Sequence, residues 1–107
     1  MSWEIIKTAE FGELYEKLPS EIKSRFEKQL RKVKENPYSL GKTLGYPWFR
    51  ELKNDKFRAY YLIYDKQIAV LFVGVSNKKS QQTTINTIKN NFVAFKFFIE
   101  NQGKEFK

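Results

Sequence analysis

Residues 48–65 read WFRELKNDKFRAYYLIYD and set Arg50, Lys53, Lys56 and Arg58 close together among Trp48, Phe49 and Tyr60. Like charges on paired strands repel one another, so such a surface calls for an anionic partner. Cations beside aromatic rings suit a nucleic acid, whose phosphates the cations neutralise and whose bases stack on the rings. Arginine serves better than lysine here, because its planar fork meets two phosphate oxygens at once. The chain has four arginines, and two of them, Arg50 and Arg58, fall in this stretch. A second basic group, Lys78-Lys79, comes just before a predicted helix start, where free N–H groups also favour anions. The matching chemistry is phosphoryl transfer, which needs positive charge fixed on the equatorial oxygens more than a nucleophilic side chain. Glu51, or a lysine crowded by other cations, is the available proton acceptor.

Missing residue types narrow the field further. The chain contains no Cys, which excludes disulfides, thiol catalysis and thiolate metal sites. It contains no His either, so Ser-His and Cys-His catalysis and His-based zinc sites are excluded. Glu51-Leu52-Lys53 has the E-x-K spacing of a metal-dependent nuclease superfamily, but no Asp precedes Asp55 to complete that set. Neither a metal nor another cofactor is expected. The net charge of +8 over 107 residues points to nucleic acid, an anionic membrane surface or an acidic protein. No apolar run is long enough for a membrane helix, and MSWEIIKTAE lacks the pattern of a secretion signal. One domain, 1–107, in the cytoplasm is the expectation.

The elements that must position these groups follow from periodicity. Ser2 to Lys7 reads as a short strand. Phe11, Leu14, Tyr15 and Leu18 keep the spacing of one helical face, and Ile22, Phe26, Leu30 and Val33 form the stripe of a second helix after Pro19. That second helix is otherwise basic and ends near Asn36-Pro37. The loop PYSLGKTLGYP leads into the hairpin, where Phe57, Ala59, Tyr61 and Ile63 alternate with Arg58 and Tyr60. QIAVLFVGV is apolar at almost every position, as a central strand covered on both faces would be. Ile85, Ile88, Phe92, Phe95 and Ile99 mark a last helix beginning near Ser80, with Val93, Phe97 and Phe98 off its stripe. The predicted fold is α+β, in the order β-α-α-β-β-β-α: a small antiparallel sheet, a helical hairpin against it and a C-terminal helix.

Register decides whether Arg50 joins Arg58. A three-residue loop of Lys53, Asn54 and Asp55 sets them opposite each other on one face, whereas a two-residue Asn54-Asp55 turn separates them.

In this element order, GKTLGYPWFRE, FRAYYLIYD and VGVSNKKSQQTTINTIKNN resemble the RelE/ParE superfamily of bacterial and archaeal toxins, above all its archaeal RelE-like branch. The resemblance spans Leu14 to about Asn91. It implies the toxin of a type II toxin–antitoxin pair that cuts mRNA in the ribosomal decoding site without metal or His. The ribose 2′-OH attacks the adjacent phosphate and leaves a cyclic phosphate and a free 5′-OH. Arg50 matches a basic position on the first hairpin strand, and Arg58 the central arginine that stabilises the phosphorane-like transition state. Lys79 falls where many relatives carry an arginine that acts as acid or phosphate ligand; Glu51, the available proton acceptor, joins these three as a candidate catalytic residue. Lys53, Lys56, Tyr60 and Lys78 are the expected RNA contacts.

The implied partners are a cognate antitoxin, held in a hetero-oligomer, and the ribosome with its mRNA; no membrane is implied. The basic second helix with Phe97 and Phe98 suits an antitoxin rich in acidic and apolar residues. One departure stands out. Several RelE enzymes carry a catalytic Tyr where this chain has Thr84-Ile85, leaving Tyr60 or Tyr64 to substitute. The alternatives are a ParE-like inhibitor of DNA gyrase and a catalytically silent protein that binds RNA or antitoxin.

Overall fold

In the computed structural model, which describes residues 2–102, the repeat of Ile22, Phe26, Leu30 and Val33 becomes one buried stripe along α2 (Ser20–Glu35). Beside it lies α1 (Ala9–Glu16), capped where the Thr8 hydroxyl accepts the N–H of Phe11 at 3.1 Å. Phe11 and Tyr15 are buried, as is Leu18 just after the helix. Leu14, expected on the same stripe, is 37 % exposed.

Five strands form one sheet: β1 (Glu4–Lys7), β2 (Lys42–Thr43), β3 (Phe49–Asn54), β4 (Phe57–Tyr64) and β5 (Ala69–Asn77), in the order β1-β5-β4-β3-β2. Among these described strands, only β1 and β5 pair in parallel. Leu52, Ala59, Tyr61, Ile63, Val70 and Phe72 pack on the helical hairpin. The opposite face, with Phe49, Tyr60, Leu62, Leu71 and Val73, packs on α3 (Gln81–Asn90) and α4 (Phe92–Glu100) through Ile85, Ile88 and Ile99. Covering on both faces explains the unbroken apolar run of β5.

The α+β architecture is the expected one, although the sheet is mixed rather than wholly antiparallel because β1 joins β5 in parallel, and it carries two further refinements. The Gly-rich loop holds the two-residue strand β2 against β3, and the C-terminal helix breaks at Asn91, between α3 and α4. None of the described helices is long and apolar enough to cross a membrane.

The hairpin register differs from both expectations. Its loop is Asp55-Lys56, so Asn54 pairs with Phe57, Lys53 with Arg58 and Arg50 with Tyr61. Asp55 takes the positive φ of 56° that the turn requires, a conformation Asp tolerates better than most residues. Since strand residues alternate between faces, this register puts Arg50 on the face of Tyr61 and Arg58 on the face of Tyr60.

Candidate functional site

The register gathers Glu51, Lys53, Arg58, Tyr60 and Ser76 on the α3 face of the sheet, with Glu51 opposite Tyr60 and Arg58 between Lys53 and Ser76. Arg58 and Glu51 are each 5 % exposed, in a layer that is otherwise apolar. One Arg58 terminal nitrogen, Nη1, donates to the carbonyls of Asp55 at 3.2 Å and Phe57 at 3.3 Å. Its Nε lies 3.9 Å from Glu51 Oε1, too far for a hydrogen bond, and has no partner among the described residues. Glu51 Oε1 instead accepts a 2.6 Å bond from Gln81 Nε2, at the start of α3. The hydroxyls of Tyr60 and Ser76 bond to each other at 2.8 Å. A buried guanidinium N–H left unmatched is costly, and an anionic acceptor removes that cost.

Further cations lie at this end of the sheet. Phe57 pairs with Asn77, so Lys78-Lys79 leaves β5 beside the 55–56 turn, near the exposed Lys53 and Lys56. Ser80 sits at the N-cap of α3, but its side chain makes no cap there. It turns back to Asn77, accepting the Asn77 N–H at 3.3 Å and donating to Asn77 Oδ1 at 3.1 Å. The first N–H groups of α3 are thus left without a cap from Ser80 and face the same end.

Two of the expected groupings change. Arg50 lies on the other face, where it clasps the loop before β3. It donates to the carbonyls of Pro47 at 2.8 Å, Leu40 at 3.1 Å and Gly41 at 3.3 Å, and sits over the Tyr38 ring. The two-residue turn at Asp55-Lys56 is the cause. The expected aromatic platform does not form either. Tyr60 is fully buried, Phe49 is core, and Trp48 stacks on Tyr46 and meets Phe92 edge to face at the far end of β3. Tyr64 is half-buried at the far end of β4, beside a cleft of about 530 Å³. Neither Tyr60 nor Tyr64 presents an open ring beside Arg58. Glu51 belongs to no cluster of three metal-ligating side chains among the described residues.

Gln81 and Ser76 lie within VGVSNKKSQQTTINTIKNN, but neither has a role assigned from sequence. Ser76 is the first residue after the apolar run QIAVLFVGV, and the structure extends β5 through it to Asn77.

Burial raises the phenols of Tyr60 and Tyr61 from the ordinary 10 to about 12. As pH rises past 10, the unfolded chain gives up phenolic protons that the folded chain keeps. The stability these groups supply is complete below pH 10 and lost as pH climbs towards 12. Each fully buried phenol is worth on the order of 2–3 kcal/mol in this window. Denaturant melts should therefore show a steep drop between about pH 10 and pH 12, with tyrosinate absorbance appearing as the chain unfolds. Phenol ionisation well before unfolding would contradict this.

The fold has counterparts of known structure. A free E. coli RelE toxin variant superposes with a TM-score of 0.70 at 20 % identity, over 84 % of this chain and 98 % of that one. RelE in the intact E. coli RelBE toxin–antitoxin complex gives 0.63 at 22 %, over 70 % and 95 %. In the archaeal RelE–RelB complex from Pyrococcus horikoshii the values are 0.61 and 12 %, over 73 % and 97 %. No family model matches the sequence, and no curated protein does. The likeness therefore lies in the fold, which this chain shares with RelE toxins over 70–84 % of its length.

Proposed function

We propose that this chain is the toxin of a type II toxin–antitoxin pair and that it cuts mRNA on the ribosome without a metal ion. The observation that carries the reading is Arg58: a strand-held, buried guanidinium whose Nε is unpartnered among the described residues, at the sheet end where Lys53, Lys56, Lys78 and Lys79 lie. A phosphate whose charge grows in the transition state is the acceptor such a donor suits. Glu51 takes the proton of the attacking 2′-OH, and Lys79 protonates the departing 5′ oxygen. The 2′-O–P bond forms as the P–O5′ bond breaks, leaving a cyclic phosphate and a 5′-OH. Lys53, Lys56 and Lys78 hold the flanking phosphates. Arg58 is only 5 % exposed, so the exposed Lys53, Lys56, Lys78 and Lys79 side chains meet the RNA first.

The solved RelE complexes with RelB support an antitoxin as partner. On this chain the exposed Val93, Phe97 and Phe98 of α4, together with the basic side of α2, offer it apolar and positive surface.

Added to ribosomes programmed with mRNA, the purified protein should cleave the message as well with EDTA as without, once ribosome integrity is controlled. Cleavage lost to chelation and restored by Mg²⁺ overturns the metal-free mechanism. Intact mRNA, with inhibition of DNA supercoiling by gyrase, would favour the ParE-like alternative.

A further inference from the structure

We propose that Gln81 is a positioning residue for Arg58: by holding the Glu51 carboxylate, it keeps the Arg58 Nε–H free for a phosphate oxygen. The inference rests on the reading of Arg58 as the phosphate donor and deepens it. Glu51 Oε1 is the atom in question. It receives the Gln81 amide at 2.6 Å while standing 3.9 Å from Arg58 Nε. The carboxylate is thus near enough to offset the buried positive charge, yet not bonded to it.

Removing the Gln81 amide would leave a buried acceptor unmatched. Both Arg58 and Glu51 are about nineteen-twentieths buried, with side-chain exposures of 6 % and 4 %. A carboxylate oxygen stripped of its donor in such a place seeks another, and Arg58 Nε is the unpartnered donor beside it. Glu51 then closes to a true hydrogen-bonded ion pair. It occupies the guanidinium edge that a phosphate would use, and the phosphate must displace a bonded carboxylate to bind. Gln81 is well placed for this role because it opens α3, whose first residue is fixed by the Asn77–Ser80 turn. An amide also suits it better than a charged group, since it donates to Glu51 without adding a competing charge at Arg58.

The test is binding of a fluorescein-labelled single-stranded oligoribonucleotide with 2′-O-methyl riboses, which cannot be cut, followed by anisotropy. Gln81→Met keeps the side-chain length and removes the donor, whereas Gln81→Ala also removes packing. Each should weaken binding by about tenfold, with thermal melts confirming a folded protein. Glu51→Gln should bind at least as tightly as the unmodified chain. The decisive arm is Gln81→Met in the Glu51→Gln background, where the loss should vanish because no carboxylate remains to close on Arg58. An unchanged or tighter Gln81→Met, or a loss that persists in the double variant, overturns the role given to Gln81. Arg58→Ala distinguishes failure of that role from failure of the phosphate site beneath it. If it binds as the unmodified chain does, the reading of Arg58 itself fails, whatever Gln81 does.

Discussion

Arg58→Ala is expected to slow single-turnover cleavage of ribosome-bound mRNA by roughly 10²–10³, the usual cost of removing one pre-placed oxyanion donor. Rigidity is the reason. Arg58 projects from β4 between Lys53 and Ser76, and its Nη1 is tied to two backbone carbonyls. A charge held in this way need not reorganise as negative charge builds on the phosphate. Lys78 and Lys79 are exposed and follow the strand, so they bind phosphate with less fixed geometry. Ribosome affinity should fall much less than the rate, because many cations share the binding. Arg58→Lys should recover only part of the loss, since an ammonium cannot fork two oxygens. Lys23→Ala is the control, on α2 over the opposite face, where it reaches the Glu16 carbonyl at 3.3 Å. Equal small losses in Arg58→Ala and Lys23→Ala would mean that the basic surface acts diffusely.

Gly41→Ala should destabilise the fold by about 2–4 kcal/mol, combining left-handed backbone strain with overpacking. Gly41 has φ +84°, which an L side chain adopts only with strain. A Cβ there would lie 2.9 Å from Tyr61 Oη and 3.3 Å from both Arg50 Cβ and the Glu51 carbonyl. Tyr61 cannot swing aside. It is fully buried, and its hydroxyl, 2.9 Å from the carbonyls of both Pro37 and Leu40, shares its one hydrogen between them. The strain therefore falls on the clasp that Arg50 makes with the same loop. Chemical denaturation should show the loss, while cleavage per folded molecule stays near that of the unmodified chain. A stable Gly41→Ala variant with a lost chemical step would instead tie this loop to the site.

The core was legible because burial repeats with the period of each element. Ile22, Phe26, Leu30 and Val33 announced α2, and Ala59, Tyr61 and Ile63 announced one face of β4. What a single sequence left open was a shift of one residue. A two-residue turn at Asp55-Lys56, rather than a three-residue loop of Lys53, Asn54 and Asp55, sends Arg50 away from Arg58. Alternation correctly placed Tyr60 on the Arg58 face, and the apolar run of β5 pointed to a second covered face, but neither said that α3 and α4 reach over Tyr60. Aromatic residues that looked like a stacking surface were the second core layer. Gln81 was hidden for another reason: its partner, Glu51, is thirty positions away and meets it only when α3 folds back over the sheet.

The central claim is that Arg58 stabilises attack by a ribose 2′-OH, and the end groups of the cut mRNA test it most directly. RNA cleaved on programmed ribosomes should carry a 2′,3′-cyclic phosphate upstream of the cut and a 5′-OH downstream. The same ends should appear far more slowly with Arg58→Ala. A 5′-phosphate at the cut, the mark of attack by water from the other side of the phosphate, would contradict the account.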